Sequence, residues 1–170
     1  MAAAVLLASA LQGSAWAESA LDRIRNTGVL NAGTRADAMP FAYRLQQAGD
    51  KEARLAGFSV DLIEQIRKKL TEKLGREIET RLHITTASDR LALVASHTID
   101  IECGITTPTW ERQKLVDFSI PFFGNGTRLM VLRKTAKGFD DLRGKRIGVA
   151  AGTTTSAILK QHVPDAIVVE

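Results

Sequence analysis

Val29–Thr34 (VLNAGT), then Ser59–Leu74, then Glu77–Ile84 (EIETRLHI) read as strand, helix and strand, and no other feature restricts the chain as much. A strand, a crossover helix and a second strand in one sheet pair in parallel with a right-handed connection, which makes the fold α/β. In the helix, Ile63, Ile66, Leu70 and Leu74 recur at steps of three and four, giving one buried stripe, while Lys68, Lys69, Glu72 and Lys73 face water. Ser59 is expected as its N-cap and Gly75 as the residue that ends it. Ile78, Leu82 and Ile84 keep a period of two, as a strand requires.

The pattern continues downstream. A short helix over Leu21–Asn26 precedes the first strand, another is expected at about Ser88–Ser96, and Ile99–Cys103 (IDIEC) reads as a third strand. Phe118–Gly126 holds aromatics, Pro121 and two glycines, the composition of a crossing between lobes. Beyond it a strand is expected at Thr127–Arg133, a turn of helix at Phe139–Gly144, and a second βαβ set at Arg146–Ala150, Thr155–His162 and Ala166–Val169. The second set has too few strands to close a core, so residues 18–117 are read as a first lobe, 118–126 as the crossover and 127–170 as an incomplete second lobe.

Residues 1–17 stand apart. Ala2–Leu11 is a short apolar run followed by Gly13, Ser14 and Ala15-Trp16-Ala17, the layout of a cleavable signal peptide that would leave Glu18 first and send the chain to the periplasm or the extracellular space; a small apolar N-terminal helix of a cytosolic protein is the alternative. The run is too short to span a bilayer.

Composition narrows the function classes. With 170 residues, 45% hydrophobic and 25% charged, the chain can bury a core and is neither a disordered tail nor a fibrous sequence. A net charge of +4, spread among interspersed acids and without interleaved aromatics, argues against nucleic acid as partner. A single Cys excludes an internal disulfide, and Cys103 is expected as a buried strand residue. His83, His97 and His162 have no ligand spacing, the GxxxxGK[ST] and GxSxG patterns are absent, and no cofactor is expected.

Three segments that carry polar chemistry each lie where a strand ends, the place at which open α/β sheets bind ligands. Gly33-Thr34-Arg35-Ala36-Asp37 offers an arginine able to grip a carboxylate, or a solvated loop arginine. In IDIECGITTPTWER, Gly104 permits close backbone approach, Thr107 supplies a hydroxyl and an amide, and Arg112 comes within reach if Pro108–Glu111 begins a helical turn. Thr107 as N-cap with Pro108 at the first helical position explains the same residues. Ala151–Ser156 (AGTTTS) precedes a helix and suits a carboxylate or phosphate, or simply caps that helix through Thr154 or Thr155.

Taken together, LDRIRNTGVLNAGTRADAMPFAY, GFSVDLIEQI, DIECGITTPTWERQKLVDFSIPFF and FDDLRGKRIGVAAGTTTS resemble the extracellular solute-binding proteins of family 3, over nearly all of Leu21–Ile158. Glu102-Cys103-Gly104, Thr106-Thr107, Glu111-Arg112-Gln113-Lys114 and Gly126-Thr127-Arg128-Leu129 resemble the glutamate/aspartate-binding members. The resemblance implies a two-lobe, type II periplasmic-binding-protein architecture with the first lobe nearly complete. It implies a monomeric receptor that closes on an amino acid and delivers it to the membrane subunits of an ABC importer. It also implies roles: Arg112 and Thr107 hold the ligand α-carboxylate, Thr154 with the amides around Thr153 contacts it from the second lobe, and Arg35 and Arg90 engage a side-chain carboxylate. Ile105 and Ala87 stand where the acidic-amino-acid receptors have serines. Two other functions share these features, a sensory module of a larger protein and a cyclohexadienyl dehydratase-like enzyme, for which Glu111 and Asp89 would be the nearby acids.

Overall fold

The computed structural model describes residues 18–46 and 53–170. The expected signal segment, residues 1–17, lies outside the described residues. Helix α1 (Ala20–Thr27) starts where the Ser19 hydroxyl accepts the Asp22 amide and stops at Gly28, whose φ of 74° is left-handed. It leads into β1 (Val29–Thr34). A separate antiparallel unit follows, made of β2 (Asp37–Ala38), β3 (Ala42–Leu45) and β4 (Arg54–Ala56). The chain then forms α2 (Phe58–Leu74) and β5 (Glu79–Ile84). Downstream lie α3 (Arg90–Ala95), β6 (Ile101–Glu102) and α4 (Trp110–Gln113).

The central sheet has the order β5-β1-β6 and is parallel throughout, as the strand–helix–strand pattern requires. Its register sets Val29 against Glu79 and Gly33 against Glu102. The α2 stripe covers one face: Ile63 is buried with Ile24, Leu30, Ala32, Ile78 and Cys103, and Ile66, Leu70 and Leu74 pack against them. Lys68, Lys69, Glu72 and Lys73 lie on the side of α2 turned from this core. The cap differs from expectation. Gly57 (φ 123°) takes the N-cap position because a Cβ there would lie 2.5 Å from the Phe41 carbonyl oxygen, and Ser59 is buried inside the first turn.

Asp100 ties the first helix to the sheet. Its buried carboxylate accepts from Arg23 Nη2 at 3.1 Å and from the Asn31 amide at 2.9 Å. Thr34, fully buried, donates to the Cys103 carbonyl at 2.7 Å and so fixes the distance between the ends of β1 and β6.

Residues 118–126 have no regular secondary structure, and their rings pack back on the first unit: Phe123 meets Phe41 edge-on at 4.9 Å, and Phe122 stacks on Phe58 at 5.7 Å. The strand expected at Thr127–Arg133 does not form. Among the described residues this stretch pairs with no strand; Leu129 packs inward while Met130 and Leu132 are exposed. A 3₁₀ turn (Phe139–Leu142), β7 (Arg146–Gly148), α5 (Thr155–His162) and β8 (Ile167–Val169) complete the chain. β7 and β8 pair in parallel, and Leu142, Leu159 and Val163 form a second small core. Among the described residues, no helix is long and apolar enough to cross a membrane.

Candidate functional site

The ends of β1 and β6 and the helices after β5 and β6 bring three arginines to one place. Arg35 follows β1, Arg90 opens α3 and Arg112 lies in α4, and all three act electrostatically on the carboxyl of Glu102, the last residue of β6. The arginines are expected from the sequence; Glu102 is not. In IDIEC it keeps the phase of Asp100, the polar positions of an alternating strand, so the local pattern reads as a solvated face and gives no sign of its burial.

Each guanidinium has a different occupation. Arg35 gives Nε and Nη2 to the two carboxylate oxygens of Asp37, both at 2.7 Å. Those bonds raise the Arg35 pKa and lower that of Asp37. Arg112 donates Nη1 to the Thr107 carbonyl at 2.7 Å and Nη2 to the Gly152 carbonyl at 2.9 Å, bridging the end of β6 to the loop before α5. Gly152 (φ 71°) also lies close against the loop before α3, where a Cβ would come within 2.7 Å of the Ala87 carbonyl oxygen. Arg90 is 3% exposed, and among the described residues its Nε and Nη1 have no partner. Burial pulls its pKa below the ordinary value; Glu102 opposes that, and Arg112 and Arg35 add to it.

Glu102 answers this positive cluster from within. Its Oε2 accepts from the Thr106 hydroxyl at 2.8 Å, and its Oε1 is buried without a partner among the described residues. Burial pushes the carboxyl above the usual carboxylate range, against the opposing pull of Thr106 and the three arginines. A guanidinium with two orphaned N–H groups in a water-poor site is a strong receptor for a carboxylate, since the bond is charge-assisted and the unmet donors gain a partner.

The threonines fare differently from expectation. The helical cap after β6 is Thr109, whose hydroxyl accepts the Arg112 amide at 3.3 Å; Thr107 uses its carbonyl on Arg112. Thr153 donates its hydroxyl to the Ala150 carbonyl at 2.7 Å. Thr154 occupies the N-cap of α5 without a side-chain hydrogen bond. A cavity of about 700 Å³ lies nearby, between Leu62, Ile66, Leu91, Val94 and Ile120. None of the six expected site residues lines it, but Glu102 and Thr106 do, so this largely apolar cavity adjoins the charged cluster. No group of residues with metal-ligand character occurs among the described residues.

The sequence profile of the bacterial extracellular solute-binding proteins, family 3, matches residues 30–164. The chain belongs to this family. The L-glutamate/L-aspartate-binding protein of Pseudomonas aeruginosa is 41% identical over 146 residues, which are 82% of this chain and 46% of that protein. The glutamate/aspartate import solute-binding protein of Salmonella typhimurium is 36% identical over 90% of this chain and 50% of its own length. The chain thus spans about half the length of these relatives. Among solved structures, the ancestral amino-acid-binding protein AncCDT-1, a precursor of cyclohexadienyl dehydratase, is 30% identical with a TM-score of 0.74, covering 89% of this chain and 64% of that one. The fold is accordingly the α/β, type II periplasmic-binding-protein architecture, present here over part of its extent.

Proposed function

We propose that this family 3 chain belongs to the amino-acid receptor of an ABC importer and that its ligand is acidic, glutamate or aspartate. The observation that carries the reading is Arg90: a buried guanidinium with two unpartnered nitrogens, flanked by Arg35 and Arg112. Arg112 and Thr107 would take the ligand α-carboxylate, with Thr153 and Thr154 contributing from the α5 side. Arg35 and Arg90 would take the side-chain carboxylate. The names of the relatives from Pseudomonas and Salmonella support an acidic ligand.

In this reading residues 18–117 are the first lobe, 118–126 the crossover and 127–170 part of the second. A ligand gripped from both lobes binds the closed state more tightly than the open one, and so shifts the equilibrium toward closure. The Arg112–Gly152 bond is a contact on which such closure would act. Residues 1–17 would direct export to the periplasm, where a monomeric receptor meets the importer's membrane subunits. The role is binding and not catalysis.

Calorimetric titration with L-glutamate, L-aspartate, L-glutamine and L-histidine tests this. Acidic amino acids are expected to bind tightest, and a preference for histidine would overturn the assignment. Arg112→Met is expected to abolish binding of every amino acid, whereas Arg90→Met mainly removes acidic selectivity. Normal binding by Arg112→Met would place the pocket elsewhere. Incubation with prephenate is expected to yield no phenylpyruvate; its appearance would establish the enzyme reading instead.

A further inference from the structure

Glu102 is the charged group of the cluster to which ligand capture assigns no task. Its position is set by the sheet, since β6 pairs with β1 so that Glu102 stands beside Gly33. Arg35 from the end of β1, Arg90 from α3 and Arg112 from α4 act on its charge, and Thr106 is bonded to Oε2. Cys103, next on its own strand, is a buried neutral neighbour. Asp37 is engaged by Arg35, and Asp89 acts on Arg90 from the start of α3. Around Glu102, then, three guanidiniums face three carboxylates, those of Asp37, Asp89 and Glu102. With all three acids ionised the cluster is balanced, and protonation of Glu102 leaves one positive charge in excess.

We propose that Glu102 is a specificity-determining positioning residue whose protonation state decides whether the arginine cluster accepts a second ligand carboxylate. This rests on the acidic-ligand reading above. A ligand carboxylate entering beside the buried, unpartnered Oε1 meets a like charge where water screens little. Uptake of one proton by Glu102 removes that repulsion and converts the group from acceptor to donor. A ligand with an amide in place of the second carboxylate brings no such repulsion. Burial already pushes the Glu102 carboxyl above the ordinary range, so the proton is held more readily than by an exposed glutamate.

The test uses the 170-residue chain, Glu102→Gln and Thr106→Val, titrated with L-glutamate and with L-glutamine across pH. For the unaltered chain, L-glutamate affinity is expected to fall by up to about tenfold per pH unit above a midpoint, the limit for one coupled proton. L-Glutamine affinity is expected to stay level over the same range. Glu102→Gln, a permanent neutral analogue, is expected to show level affinity for both ligands and a higher glutamate-to-glutamine ratio at high pH. Thr106→Val keeps the carboxyl but removes the hydroxyl that stabilises its charge, so the midpoint is expected to move to higher pH. An L-glutamate affinity independent of pH in the unaltered chain, or a midpoint that Thr106→Val leaves in place, overturns this proposal alone. Failure of L-glutamate to bind at any pH while another amino acid does overturns the acidic-ligand reading, and this proposal with it.

Discussion

Replacing Arg90 with methionine should make the ligand-free protein more stable while weakening its grip on an acidic ligand. The side chain is 3% exposed and its Nε and Nη1 lack partners among the described residues. Each unmet buried donor costs about 1–3 kcal/mol. Methionine fills a similar volume without polar atoms and adapts to irregular space. Against that gain stands the lost attraction to Glu102, which retains Thr106, Arg35 and Arg112 and can also take up a proton. Exchanging buried charged groups for apolar ones of like size is often neutral or stabilising by about 1–4 kcal/mol, and the net expected here is a gain of about 1–3 kcal/mol. For a chain of this size each 1 kcal/mol moves Tm by about 2–4 °C, so thermal melts without ligand should rise by roughly 2–12 °C. A hydrogen bond to a charged group contributes about 1.5–3 kcal/mol, so calorimetry with L-glutamate should show affinity falling at least tenfold. A variant that loses about 1 kcal/mol or more without ligand would mean that the Arg90 guanidinium is satisfied in the free protein, and the reasoning would fail.

Other perturbations probe separate links. Asp37→Asn releases Arg35 from a pair whose acid side chain is 69% exposed; such pairs contribute under about 1 kcal/mol, so Tm should barely move while L-glutamate binds as well or better. Loss of binding would instead make Asp37 part of the site. The Cys103 thiol, 6% exposed, is pushed by burial from 9.0 up to about 11. Its native thiolate fraction at pH 8 is therefore lower by about 100-fold, and a thiol reagent should label it slowly until urea unfolds the chain. Because that pKa is raised on folding, the associated stability is present below about pH 9 and lost as pH rises toward 11, which urea melts between those pH values can follow. Ile63→Ala, at the 1% exposed centre of the α2 stripe, should cost about 2–5 kcal/mol in urea unfolding; a cost under about 1 kcal/mol would mean that the face of α2 turned to the sheet is wrongly identified.

Legibility in the chain followed the range of the interactions. β1 and α5 formed with the boundaries expected, and α2 to within one residue, because apolar spacing, Gly28 and Gly75 act within a turn or two of themselves. The antiparallel unit β2–β4 was not anticipated: it pairs strands of two to four residues, and Gly57 gains its cap position by lying against the carbonyl of Phe41, a residue distant along the chain. Thr127–Arg133 shows the converse, a stretch with strand-like residues that pairs with no strand among the described residues.

The candidate site divides in the same way. Arg35, Thr107, Arg112, Thr153 and Thr154 lie in polar segments that follow strand ends, a local feature, whereas Arg90 is reached only through the family resemblance. What each atom does was decided by folding. Arg35 is committed to Asp37, Arg112 reaches across to Gly152, and Arg90 is sealed from water beside Glu102. By itself the sequence specified the βαβ order, the buried stripe and the supply of arginines. Only the tertiary structure determined which charges are buried together, because that depends on groups far apart along the chain sharing one region of low dielectric.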